Sequence, residues 1–337
     1  MKKLIILLLL IPALLFARPL QQKLLAVIAA GGVESGGGGS FTVYQGGYSG
    51  NGIDRDIPVT GLVSSSDALI LIANNGGQSG AMRFPAQSGG LSSEWADSQV
   101  EETNMIQGLK TDAFEVGTTY EVNNTNTYAY CVIDNNSSEN VEYGTYAGNG
   151  VDGRTISLSI MSATPDLVIV KSAGAAYGAF HTHDMGDTTD ISAYFTILGN
   201  AANRIQAVGA GAFEVSNSST MNGAGVTYYY AAFVHVEGAF VTGAYTGNGV
   251  DDRSTTGIGF QPDIVIIKAD NTQGAVIHTT AMGASTDLTY FVRNRTSITD
   301  AIPSLDSNGF EIGTDISVNE NGTDYYWMAW KTGEYND

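Results

Sequence analysis

The chain has 337 residues, with 34 Asp and Glu against 15 Lys and Arg, a formal net charge of −19, 42 glycines and one cysteine. Such acidity argues against the Lys/Arg-lined face that nucleic-acid binding needs. One cysteine excludes an intrachain disulfide framework and a cysteine-rich zinc site. An apolar fraction of 43% is enough for a packed core.

The N-terminus reads MKKLIILLLLIPALLFARPL: two lysines, then an apolar run over residues 4–16 broken only by Pro12. This is the layout of a secretory signal peptide, with a run too short for a comfortable transmembrane helix. Residues 1–17 are therefore expected to direct export, with cleavage after Ala17 or after Ala29 and no stable membrane span afterwards. Residues 18–41 follow as an apolar segment, including Leu24, Leu25, Val27 and Ile28, joined to a Gly-rich linker. A short apolar peptide on a flexible tether suits strand addition to a neighbouring subunit's sheet. A short packed helix and a longer signal sequence are the other readings.

From residue 42 onward the dominant feature is repetition. YSGNGID starts at Tyr48, YAGNGVDGR at Tyr146 and YTGNGVDDR at Tyr245, steps of 98 and 99 residues. An Asp before an apolar run recurs at Asp67, Asp166 and Asp263. Phe-Glu pairs recur at Phe114, Phe213 and Phe310, and an aromatic strand closes each unit, as in TYAYCVI, VTYYYAAFV and DYYWMAWK. Four landmarks in one order define three units, 42–142, 143–240 and 241–337.

Each unit reads as β. The runs after Asp67, Asp166 and Asp263 are short, continuous and rich in Ile, Val and Leu, as in strands buried on both faces. Asn-Gly pairs, which suit the positive φ of tight turns, punctuate the rest. The fold class expected is all-β: three tandem β-sandwich domains of jelly-roll or lectin-like type.

Candidate functional residues are few. Cys131 lies three residues after Tyr128, as Ala232 and Ala329 do after Tyr229 and Tyr326, so it reads as a small core position. His181 corresponds to His278, with Arg83 in the first unit, and reads as a surface or packed imidazole; together with His183 it is a weak metal motif. Asp184, Asp187 and Asp190 share one loop, and Asp251 and Asp252 flank a Gly-Asn-Gly turn. Carboxylate-rich loops can hold Ca²⁺, although neither has EF-hand spacing; no other cofactor is implied. Trp95, Trp327 and Trp330 are candidate sugar platforms, but Trp327 and Trp330 differ in strand parity, so at least one should be buried. No nucleophile elbow, HExxH or P-loop occurs.

The third unit, through YTGNGVDDR, GIGFQPDIVIIK, SNGFEIG and NGTDYYWMAWK, resembles a family of repeats in phage virion and bacterial surface proteins. The resemblance implies lectin-type or SPRY-like β-sandwiches appended to structural proteins; it supplies no catalytic residues. The expected function is that of a secreted, non-enzymatic structural subunit of an extracellular filament or surface appendage. Copies of the chain would associate head to tail, since heterologous contacts that do not close generate filaments. The alternative is a carbohydrate-binding adhesin whose partners are surface glycans. A glycan hydrolase is third, because no carboxylate pair stands out.

Overall fold

The structure, a computed structural model, describes residues 39–282 and 287–337. The expected signal peptide, residues 1–17, and the segment carrying Leu24, Leu25, Val27 and Ile28 lie outside the described residues.

The first repeat holds β1 (Ser40–Ser49), β2 (Arg55–Pro58), β3 (Asp67–Asn74), β4 (Ala81–Arg83), β5 (Ser93–Glu94), β6 (Ile106–Lys110), β7 (Ala113–Val116) and β8 (Thr127–Asn136), with a one-turn helix α1 (Tyr120–Asn123) before β8. The second holds β9 (Val141–Ala147), β10 (Arg154–Ser157), β11 (Leu167–Ser172), β12 (Ala179–Thr182), β13 (Ala193–Tyr194), β14 (Ile205–Gly209), β15 (Ala212–Val215) and β16 (Thr227–Phe233), with α2 (Ser219–Asn222). In the third are β17 (Phe240–Thr246), β18 (Arg253–Thr256), β19 (Ile264–Ala269), β20 (Val276–Thr279), β21 (Leu288–Phe291), β22 (Ile298–Thr299), β23 (Leu305–Asp306), β24 (Gly309–Ile312) and β25 (Asp324–Trp330), with α3 (Ile316–Asn319). A last strand, β26 (Gly333–Asn336), runs back along β1.

Every repeat builds the same antiparallel sandwich. A large sheet has the order β1-β8-β3-β4-β5, repeated as β9-β16-β11-β12-β13 and as β17-β25-β19-β20-β21-β22. A three-stranded sheet covers it: β2-β7-β6, β10-β15-β14 or β18-β24-β23. Between the two sheets lies a private core, such as Ile70, Ile72, Ile57, Phe114 and Val116 in the first repeat. Phe213 and Phe310 do the same work in the second and third repeats.

The opposite face of each large sheet is apolar too. Leu69 and Leu71, Leu167 and Ile169, and Ile264 and Ile266 meet in one cluster with Trp95, Phe195 and Trp330. The continuous apolar runs of β3, β11 and β19 thus have their cause: one parity faces the private core, the other a core shared by all three repeats. The repeats are therefore not separate globules in series, and residues 39–337 form one compact unit.

Backbone hydrogen bonds close the arrangement. Gly178 N donates to Trp95 O, Ala275 N to Phe195 O and Gly80 N to Val292 O, at 3.0, 2.9 and 2.9 Å. Within each repeat Trp95 N donates to Gly80 O, Phe195 N to Gly178 O and Val292 N to Ala275 O. Six residues so form a closed ring, with each repeat passing one bond to the next and the third returning to the first. It has the logic of a cyclic trimer whose heterologous contact closes, built from one chain.

The register corrects two sequence alignments by one residue. Tyr128, Tyr228 and Tyr325 are equivalent, each stacked on the tyrosine before a Gly-Asn-Gly turn. Cys131 therefore corresponds to Ala231 and Met328, not to Ala232 and Ala329, and faces the shared core. A one-residue slip moves a side chain to the other face of a sheet. Likewise Ala68, not Asp67, stands where Asp166 and Asp263 stand, because Leu69, Leu167 and Ile264 pair with Ile133, Phe233 and Trp330.

Candidate functional site

The feature common to all three repeats is a braced turn. Asn51, Asn149 and Asn248 accept from the amide two residues ahead, at 3.0, 2.9 and 2.9 Å, and Gly52, Gly150 and Gly249 take positive φ. A buried asparagine at the end of α1, α2 or α3 holds the turn from below: Asn123, Asn222 and Asn319 donate to the carbonyls of Ile53, Val151 and Val250. Tyr48, Tyr146 and Tyr245 donate to the same helices, while Arg55, Arg154 and Arg253 lie over their rings. This leaves Ile53, Val151 and Val250 exposed at the turn tips.

The tryptophans are not a ligand platform. Trp95 and Trp330 are fully buried in the shared core, and Trp327 is buried against Phe310 in the third private core. The parity difference between Trp327 and Trp330 holds, but both sides of their strand are covered.

The aspartates do not assemble a cation site either. Asp184 accepts from Thr242 of the next repeat, Asp187 pairs with His183 at 2.6 Å, and Asp190 accepts from the amide of Asn203. Asp251 accepts from the amide of Asp252. Among the described residues no group of three or more His, Cys, Asp or Glu is placed to hold a metal. His181 and His278 are buried and bond through Nδ1 to the carbonyls of Ile191 and Leu288, and burial lowers the pKa of both. His181 and His183 thus serve separate partners.

Three buried ionisable groups were not legible as such in the sequence. Lys171 Nζ donates to Asp97 O at 3.0 Å and to Ala176 O, tying the second repeat to the first; burial lowers its pKa to about 8. Lys268 donates to Asn271 O at 3.2 Å and to Ala269 O, and burial lowers its pKa to about 7. Glu142 receives the amides of Ser159, Ile160 and Met161 and the Tyr230 hydroxyl. Burial alone would raise its pKa, but these donors hold it below the usual carboxylate range. Cys131 is sealed in apolar surroundings that push its thiol far above the ordinary range.

One open cleft of about 490 Å³ lies between β1 and β26, lined by Thr42, Tyr44, Gln45, Thr60 and Glu334 among others. Its walls mix hydroxyl, amide and carboxylate groups with a half-buried tyrosine. Among the described residues no hydrogen bond joins a Ser, Thr or Cys side chain to a histidine ring, and no helix is long and apolar enough to cross a membrane.

A family described as a domain of unknown function (DUF7483) matches residues 237–336, the span of the third repeat. A search of curated proteins found no match.

Proposed function

We infer that the protein is an exported, non-enzymatic structural subunit of an extracellular filament or surface appendage, working with copies of itself. One observation carries this reading: three copies of a sandwich close around a common core, and the residues that looked chemical in the sequence serve packing and bracing. Kinship with repeats of virion and bacterial surface proteins belongs to the same proposal. The contact between repeats closes within the intact chain, and donation of the segment holding Leu24, Leu25, Val27 and Ile28 to a neighbour supplies an open contact for assembly. Negative-stain imaging of the secreted protein across salt and calcium conditions should show regular fibres that vanish when residues 20–30 are deleted. Monomers under every condition would refute the structural reading; fibres that survive the deletion would refute strand donation alone.

A second reading, a carbohydrate-binding adhesin, draws on the polar cleft beside β1. A glycan array should then give hits that Tyr44→Ala removes, and an array without hits discards it.

A further inference from the structure

Three seams join the repeats, and they are not equal. The chain itself crosses the first, where β8 leads into β9, and the second, where β16 leads into β17. The seam between the third repeat and the first is crossed by described backbone at the C-terminal strap, residues 333–337, which leads into no further repeat. The side chains at the bonded ring positions also shrink in order, from Trp95 to Phe195 to Val292. Aromatic contacts follow the same trend. Phe84 packs on Tyr229 and Trp95 on Phe195 across the first seam, and Phe233 meets Phe240 and Trp330 across the second. Among the described residues the ring contact across the third seam is Phe41 with Tyr335, and Tyr335 belongs to β26. The third seam is also held by Gly80 with Val292, Ser297 with Asn75, Gln45 with Thr280 and Ala281, Thr127 with Tyr290, the Gly76–Thr296 bridge and the shared core.

The C-terminal strap fastens this seam. The Asp337 carboxylate takes the Ser138 hydroxyl at 2.6 Å, the Glu139 amide at 2.8 Å and the Asn140 side chain at 2.5 Å, while its own amide donates to Gly39 O. Residues 333–337 thus grip both ends of the first repeat.

We propose that the seam between the third and first repeats is a releasable joint latched by the strap, and that its alternative occupant is a second copy of this chain. An opened chain exposes on its first repeat the surface its third repeat has just left. The third repeat of another copy carries the same complementary surface, so the identical contact re-forms between chains. A heterologous contact that closes within one chain makes a ring; the same contact made between chains runs on as a polymer, which is domain swapping. This adds a second joining contact beside the strand donation of the assembly reading above and rests on that reading for its setting.

The test is the topology of a disulfide across the seam. A Cβ placed on Gly47 would lie 3.7 Å from the Ala281 Cβ, a separation that a disulfide accepts. Gly47→Cys/Ala281→Cys is introduced into the full chain and into a chain lacking residues 333–337. Concentrated in reductant, the strap-deleted protein should become oligomeric by light scattering, and oxidation should then give a ladder of interchain-linked species on a non-reducing gel. Oxidised first while dilute, the same protein should carry the bond within one chain and form about tenfold less oligomer at equal concentration, recovering on reduction. Should the deletion fail to fold, Tyr335→Ala and Asp337→Asn in the full-length double-cysteine chain give the same readout. Strap variants that stay monomeric at every concentration overturn the proposal, as do locked chains that oligomerise like reduced ones. If fibres of the native protein are not seen but the ladder forms, the assembly reading fails and the joint stands.

Discussion

The amide of Gly80 in the first repeat donates to the carbonyl of Val292 in the third at 2.9 Å, and this bond turns a row of repeats into a ring. The residues around it are matched in size. Trp95 sits over Gly80 and Phe195 over Gly178, whereas the smaller Val292 is paired with Ala275. Where the ring side chain is large, its partner has no Cβ.

Gly80→Ala should therefore destabilise the protein. The new Cβ would lie 1.9 Å from Trp95 Nε1 and 2.6 Å from Ile72 O, an overpacking that costs about 1–3 kcal/mol or more. Denaturant unfolding measures the loss. In a Trp95→Val background, which imitates the third repeat's pairing, the penalty should shrink without vanishing, since the backbone clash remains.

Trp95→Ala should cost about 3–5 kcal/mol through the cavity it leaves in the shared core. Thermal melts report this directly. Unchanged stability would mean that Trp95 is exposed, as the sugar-platform reading requires.

Asn319→Ala removes the bonds to Val250 O at 2.7 Å and Gly313 O at 2.8 Å and leaves the buried Gly313 carbonyl unpaired. A loss of about 1–3 kcal/mol is expected. Asn123→Ala and Asn222→Ala should behave alike, because the same brace is built three times; calorimetry on the three variants compares them.

Stability should rise with pH on the alkaline side of neutrality. Lys268 loses its proton near pH 7 and Lys171 near pH 8 in the folded protein, against an ordinary value of 10.5. Between those values and about 10.5 the unfolded chain binds more protons than the folded one, so raising the pH favours folding. Lys268→Met should flatten this slope; the check is urea midpoints measured from pH 7 to 10. A wild-type slope of opposite sign would contradict the burial of these lysines.

Much of the fold was written locally. The Gly-Asn-Gly turns, the alternation of Phe114 with Glu115 and the Ile/Val runs each depend on near neighbours, and they fall in turns and strands as expected. What covers the outer face of β3, β11 and β19 depends on residues about a hundred positions away, so the runs declared burial without naming the partner. The errors at Cys131 and Asp67 were slips of one residue between repeats, which leave a strand assignment intact but reverse the face. Trp95 and Trp330 looked available for a ligand because residue type alone does not distinguish a shared core from a surface. Lys171 and Lys268 end apolar runs, where a lysine commonly reaches water; here loops of the neighbouring structure cap them with carbonyls.

Equilibrium unfolding of a chain cut after residue 240 tests the central claim, that three sandwiches fold as one closed body. With the third repeat gone, the shared core is open on two sides, and residues 39–240 should lose cooperative unfolding and near-UV signal while the intact chain melts in one transition. If that fragment unfolds cooperatively at the intact chain's midpoint, the repeats are independent domains and the ring account is wrong.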